Sequence, residues 1–188
     1  MTQPAVTHRA FAELEAQLDL LRAAPARVGT LDLLVRRPRN GEREVLTEAV
    51  LDEVDGLLGD NWLSRATKRA RAAGRQLDAQ LTVMSARMVG LLGDTDQERA
   101  GAGDQLYVDL DLSHDNLPTG TRLAIGDEAV VEVTAKPHRG CKKFLNRFGP
   151  DAVAFVNSRT GTQLRLRGLN ARVVTGGTVR VGDVVRKL

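Results

Sequence analysis

The sequence predicts a mainly β chain with short helices (α+β), folded as a closed or half-closed β-barrel behind an added N-terminal helix. Three observations carry this. From residue 28 onward, apolar residues recur at every second position in short runs, the period of a half-buried strand. Turns rich in glycine separate these runs, and the 188 residues include 18 glycines. Helical spacing is confined to a few short stretches. Many short strands and few helices favour a sheet that closes on itself. A chain of this length suits one well-buried domain better than two. We divide it into a helical extension at 1–26 and a barrel at 27–188.

The elements follow in order. In residues 8–24, Phe11, Leu14, Leu18 and Leu21 recur at steps of three and four, one apolar stripe of a helix that Pro25 ends. Leu31, Leu33 and Val35 then alternate as a strand, punctuated by Pro38 and Asn40-Gly41, and 42–51 reads as a second strand. Residues 54–78 are irregular. They hold a basic stretch with Arg65, Lys68, Arg69, Arg71 and Arg75, either a solvated face or a rim that meets an anion. Residues 79–84 read as a strand, and Ser85 caps a short helix through Leu92. A loop of charge and glycine fills 94–104. In 105–112, Leu106, Val108, Leu110 and Leu112 alternate over Tyr107, Asp109 and Asp111. Two strands meet tightly at Gly126-Asp127. Phe144, Leu145 and Phe148 lie at helical spacing before Gly149-Pro150, and 151–158 reads as a second short helix. Strands with Gly-rich turns finish the chain.

Composition removes several function classes. No apolar run approaches the ~18 residues of a membrane span, and Met1 to Arg9 carries no secretory pattern. The single cysteine, Cys141, forms no internal disulfide and builds no multi-thiolate metal site. A cytoplasmic protein is the simple reading. Charge is divided unevenly. Residues 1–135 carry 15 Lys and Arg against 22 Asp and Glu, net −7, while 136–188 carry 12 against 2, net +10. The last quarter therefore calls for an anionic partner, either nucleic acid or a phosphorylated small molecule. Six aromatic residues (Phe11, Trp62, Tyr107, Phe144, Phe148 and Phe155) supply base stacking poorly.

The segment Val131 to Gly149, VEVTAKPHRGCKKFLNRFG, is the most informative. A strand ends at Lys136-Pro137, a turn follows at His138-Arg139-Gly140, and Cys141 sits at the start of a helix. Free N–H groups and the helix dipole favour a thiolate there. Arg139, Lys142, Lys143 and His138 push the same way. Such a sulfur can attack, carry sulfur or bind a soft metal. A lone cysteine is also a common small core residue.

These residues meet a known pattern. The chain resembles the MOSC domain, named for the C-terminal domain of molybdenum cofactor sulfurase, over roughly residues 25–188. The resemblance rests on ordered signatures: DGLLGDNW at 55–62, QLTVMSARMVGLL at 80–92, the Leu-Pro-x-Gly turn and Glu-x-Thr strand within 103–134, PHRGCKKFLNRFG with the single cysteine, and LRGLNARVVTGGTVRVGDVV at the end. Gly140 stands where the commonest bacterial pattern has proline, and the chain looks like a stand-alone bacterial type.

The resemblance implies a β-barrel with short helices at its mouth that binds the molybdenum cofactor, an anionic pterin with a dithiolene and a phosphate. Cys141 is then the catalytic residue and the metal ligand or sulfur acceptor. His138, Arg139, Lys142, Lys143, Arg147, Arg65, Lys68, Asn157 and Asn170 are the expected cofactor-binding residues. Asp60 is expected to fix the Gly-x-x-Gly-Asp turn. Arg167 is a further polar position near the closing signatures. Pyridoxal phosphate belongs to the larger sulfurases of the family; this chain is too short for their desulfurase domain and offers no Schiff-base lysine segment. Two functions follow. One is a reductase of N-hydroxylated compounds, fed by an electron-donor protein. The other is a non-catalytic carrier of sulfur or cofactor, served by a sulfur donor. A nucleic-acid binder ranks last, because the basic residues are interleaved with strand-like apolar positions and no helix-turn-helix pattern occurs.

Overall fold

The computed structural model describes residues 6–65, 68 and 72–188, with Arg65 by its backbone alone. Eleven strands are described: β1 (Val28–Arg36), β2 (Glu44–Leu46), β3 (Glu48–Asp52), β4 (Gly56–Leu57), β5 (Leu81–Ser85), β6 (Leu106–Asp109), β7 (Arg122–Ile125), β8 (Ala129–Val133), β9 (Leu169–Thr175), β10 (Gly177–Arg180) and β11 (Val184–Lys187). Seven of them close into a barrel in the order β1-β11-β7-β8-β9-β5-β6 and back to β1. The first and last strands make the seam, with Val28 opposite Arg186, Gly29 opposite Val185 and Thr30 opposite Val184. Neighbours are antiparallel except β5 and β6. β2 extends β1, and β10, β3 and β4 form a separate small sheet.

Closure creates an inside and an outside, and the inside is apolar together with the part of the outside that lies under the helices. Leu31, Leu34, Leu106, Val131 and Val185 fill the barrel. Leu33, Val35, Met84, Tyr107, Phe144, Phe148 and Phe155 form a second core under the helices. The alternation expected of Leu31, Leu33 and Val35 is therefore broken. The β1–β6 pairing shifts register between Leu31 and Leu33, and such a bulge turns the strand. Leu31 consequently faces the barrel while Leu33 and Val35 face the helices. Tyr107 also departs from its expected polar face. It is fully buried, and its hydroxyl accepts from the Asp104 N–H and donates to the Arg99 carbonyl, each at 3.2 Å.

The helices cover one side of this wall. The expected N-terminal helix is two short ones, α1 (Phe11–Glu15) and α2 (Leu18–Arg22), which together bury Leu14 and Leu21. α3 is Trp62–Arg65, and a 3₁₀ turn spans Gln76–Ala79. The expected second strand, 42–51, is broken at Thr47 into β2 and β3. Ser85 caps α4 (Ala86–Gly90) by accepting from the Met88 N–H at 3.2 Å. The segment expected as a loop, 94–104, contains α5 (Asp96–Ala100), fixed by a reciprocal Thr95–Glu98 capping box. α6 (Lys142–Asn157) is interrupted where the sequence places Gly149-Pro150: Gly149 has φ 84°. α7 (Arg159–Gln163) follows, capped by Ser158. Phe11 meets Phe155 edge-on at 5.6 Å, tying α1 to α6.

Candidate functional site

The loop from β8 to α6 carries the cysteine, and two asparagines hold it. Asn170 donates to the Lys136 carbonyl at 3.0 Å, fixing the start of the loop. Asn157, at the end of α6, accepts from the Gly140 N–H at 3.0 Å and donates to the Gly140 carbonyl at 3.3 Å. Both residues therefore shape the loop. Cys141 is the residue before the first turn of α6, with extended backbone angles, and its thiol is free and exposed. Its carbonyl already accepts from Leu145 at 2.9 Å. The sulfur caps nothing and stays available.

Behind the loop lies a buried ionic network. Asp104 is fully buried; one carboxylate oxygen meets His138 Nε2 at 2.7 Å and the other Arg167 Nη1 at 2.6 Å. Arg167, 4% exposed, also donates to the Ala102 carbonyl at 3.0 Å and lies 4.8 Å over the Phe144 ring. Burial alone would raise the Asp104 pKa, but the Arg167 and His138 charges and hydrogen bonds outweigh it and bring it to about 2. Burial and then the Arg167 charge hold His138 below its ordinary value, against the opposing pull of Asp104. A neutral imidazole beside an ionised carboxylate places its proton on Nε2, leaving Nδ1 as the basic nitrogen. A second buried pair stands nearby. Asp60 accepts from the Arg37 backbone and guanidinium at 2.8–2.9 Å and from the Trp62 N–H at 2.9 Å. It therefore fixes the Gly-x-x-Gly-Asp turn, as its position in that turn suggests.

A cleft of about 220 Å³ opens beside the loop, bounded by the end of β8, the end of α6, α7 and the segment leading into β9. Its ionisable lining is His114, Lys136, His138, Arg139, Arg165 and Arg167, with no carboxylate among them. Arg165 has a left-handed backbone, φ 48°, and is 9% exposed. Its Nη1 donates to the carbonyls of Leu117 at 2.5 Å and Leu112 at 3.4 Å. Burial lowers its pKa. His114 is also lowered, by burial and then by the Arg165 charge.

The remaining expected residues are scattered around this loop. Arg139 is exposed on the cleft; Lys142 is exposed; Lys143 reaches Asn40 at 2.9 Å. Arg147 packs against Gly101, and its Nε and Nη2 are buried without a hydrogen-bond partner. Lys68 is exposed. The Arg65 side chain and residues Arg69 and Arg71 lie outside the described residues. Cys141 does not line the cleft. Asp104, Arg165 and His114 are the residues that sequence reasoning passed over. They come from three separate segments, and the only local signal is the close pairing of Arg165 with Arg167.

The barrel, its helical cover and the cysteine-bearing loop define a class. The MOSC domain profile matches residues 78–186, more than half of the chain, and the protein belongs to the MOSC domain family. Among solved structures it is similar to the YuaD protein of Bacillus subtilis, at 14% identity and a TM-score of 0.56, covering 84% of this chain and 94% of that one. It is also similar to YiiM of Escherichia coli (20%, TM-score 0.52, covering 85% and 69%). YiiM of Geobacillus stearothermophilus matches at 14% and a TM-score of 0.51, covering 87% and 73%. At such identities the likeness is one of fold. No curated protein sequence matches significantly. Among the described residues, no helix is long and apolar enough to cross a membrane.

Proposed function

We propose that the chain binds the molybdenum cofactor through Cys141 and reduces N-hydroxylated compounds with electrons from a partner protein. The observation that carries this reading is the free, exposed Cys141 thiol at the start of α6, on a loop held at both ends. The donor set fits the group. Among the described residues no three His, Cys, Asp or Glu side chains gather as a metal site. A metal that arrives with its own dithiolene needs only one protein thiolate, and thiolate suits a soft metal. MOSC domains as a family are associated with this cofactor. When bound, the cofactor supplies the two-electron chemistry that converts an N–OH and two protons to N–H and water. The chain's own part is binding and orientation. Cys141 holds the metal, and Arg139, Lys142 and Lys143 present positive charge around it. Arg147 adds a guanidinium whose buried nitrogens lack hydrogen-bond partners. His138, held by Asp104, turns a basic nitrogen away from that carboxylate.

The same exposure of Cys141 also favours the second reading, a carrier that hands sulfur or cofactor to another protein. Metal analysis and turnover separate the two. Wild type and Cys141→Ser are purified from a host that makes the cofactor, and molybdenum and pterin are measured. We expect near-stoichiometric molybdenum in wild type and its loss in the variant. Turnover of an N-hydroxylated substrate with an artificial electron donor supports the reductase; loaded protein without turnover supports the carrier. Absence of molybdenum from both proteins sinks the cofactor reading.

A further inference from the structure

We propose that the N-terminal segment is a latch on a hinge in α6, and that Phe11 and Asp151 act through it as positioning residues for the loop that carries Cys141. The hinge lies where the sequence places glycine before proline. Gly149 leaves helical geometry at φ 84° and ψ 172°, and Pro150 has no N–H to donate back across the break. Helical hydrogen bonding alone therefore does not align the two halves of α6. The direction of the second half is set by what packs on it.

The N-terminal segment is what packs there. His8 lies over the break: a Cβ at Gly149 would come within 2.8 Å of His8 Nδ1. Ala10 precedes α1, and its side chain can accept no hydrogen bond. The Phe11 N–H, one of the donors that a helix start leaves open, is taken instead by Asp151 Oδ2 at 3.1 Å. Asp151 stands just after Pro150, where a carboxylate also complements the dipole of the half-helix it begins. The Phe11 ring meets Phe155 edge-on, and Leu14 shares the apolar cluster of Phe148, Ala152 and Phe155. α1 and α2 have five residues each, too short to stay helical without such packing. Docking and helix formation are then one step, which gives the segment two states.

The far end of the same half-helix reaches the loop. Asn157 clamps both backbone groups of Gly140, the residue before Cys141. The approach is close: a Cβ at Gly140 would lie 3.1 Å from Asn157 Nδ2 and 3.2 Å from Val156 Cγ2. The path from strap to thiol is short and contiguous, from Phe11 to Phe155, two residues on to Asn157, and across to Gly140. With the segment docked, Asn157 holds Gly140. With it undocked, the second half turns about Gly149 and releases the loop. If Cys141 holds the cofactor, the latch governs how firmly it does so; that step rests on the reading above, whereas the coupling of strap to loop does not.

Amide hydrogen exchange tests the coupling, followed by NMR on the whole chain made without cofactor. In Phe11→Ala and in Asp151→Ala we expect the Gly140 amide to exchange about tenfold faster, while amides of β8 and β11 change only as global stability requires. Asp151→Asn keeps an acceptor for the Phe11 N–H and should stay close to wild type. Phe11→Leu should give a smaller rise of the same kind, and keeps the test open if an alanine variant does not fold. In an Asn157→Ala background, Phe11→Ala should add nothing at Gly140, because the clamp through which it acts is gone. Unchanged exchange at Gly140, or a rise matched by β8 and β11, overturns the proposal. An equal effect of Phe11→Ala with and without Asn157 overturns it as well. Molybdenum release from loaded protein reads the functional step: Phe11→Ala should release it severalfold faster, and equal release overturns that step. Because exchange is measured without cofactor, a coupled loop in a protein that takes up no molybdenum upholds the latch and sinks the cofactor reading alone.

Discussion

Asp104 is where the site's residues meet. It has no exposed surface, and its two oxygens serve His138 and Arg167. Asp104→Asn keeps the shape but removes the charge, stranding a buried guanidinium. Breaking a buried pair in this way costs about 3–5 kcal/mol, which urea denaturation at pH 7 reads directly. The pH dependence has a defined sign. The Asp104 carboxyl titrates at about 2 in the fold against 3.8 ordinarily, so its contribution is complete above that ordinary value and fades toward pH 2. His138 is held below 6.5, so the unfolded chain takes up a proton first and stability starts to fall as pH drops through that value. Wild type should therefore lose stability in two stages on acidification, and the lower stage should be smaller in Asp104→Asn, where Asp52, Glu98 and Glu132, also held low by their hydrogen bonds, still contribute. How much of this was legible differs by residue. The place of Cys141 at the head of a helix could be read from Pro-His-Arg-Gly-Cys followed by Phe144 and Phe148. Asp104 could not, because it lies in a charged, glycine-rich stretch, and only barrel closure brings it beneath His138. Asn157 and Asn170 are expected from the resemblance as cofactor contacts, and what the fold adds is that their side-chain hydrogen bonds go to the loop itself.

Elements form where local chemistry and tertiary packing agree. The Ser85 cap and the Gly149-Pro150 break stand in the sequence as they stand in the fold. The Thr95–Glu98 box was equally legible as Thr-x-x-Glu, but the charge and glycine around it masked a five-residue helix. The β1 bulge was not legible, since alternation alone does not reveal which face each leucine meets. The segment before β9 shows how packing sets the limits. Gly168 has φ 101°, and a Cβ there would lie 2.2 Å from the Val83 carbonyl oxygen of β5. Gly41 has φ 89° with open space around it. Gly41→Ala therefore costs only backbone strain, about 1–2 kcal/mol. Gly168→Ala adds a clash with backbone that cannot step aside, and should exceed the roughly 1–3 kcal/mol of a strained position alone. Thermal midpoints of the two variants measure the difference. If they shift equally, the close approach of this segment to β5 is not limiting.

At the scale of the whole molecule, the barrel is closed by its two ends. β1 pairs with β11, so the seam forms only when nearly the entire chain has been gathered. Contacts of such sequence separation make folding slow, in the range of roughly milliseconds to seconds. They also make the barrel all-or-none, because an open sheet would leave two unpaired edges. The small β10-β3-β4 sheet shares the barrel's core through Leu51, Leu57 and Val179, and the buried side chain of Gln80 adds a polar link. Its amide oxygen accepts from the Val173 N–H of β9 at 2.7 Å, and its amide nitrogen donates to the Glu53 carbonyl, just beyond β3, at 3.0 Å. Trp62 reports on the same corner. It is the only tryptophan, it is 5% exposed, and its indole N–H donates to the Asp55 carbonyl at 2.5 Å. In wild type, tryptophan fluorescence and far-ultraviolet dichroism should trace one urea transition, since both sheets fall together. Gln80→Ala removes the link and leaves the Val173 N–H unsatisfied, at a cost of about 1–3 kcal/mol. If Gln80 is what joins the sheets, the fluorescence transition in that variant moves to lower urea than the dichroism transition. A common shift of both signals would instead assign the coupling to β9–β3 packing and leave Gln80 as one contact among many.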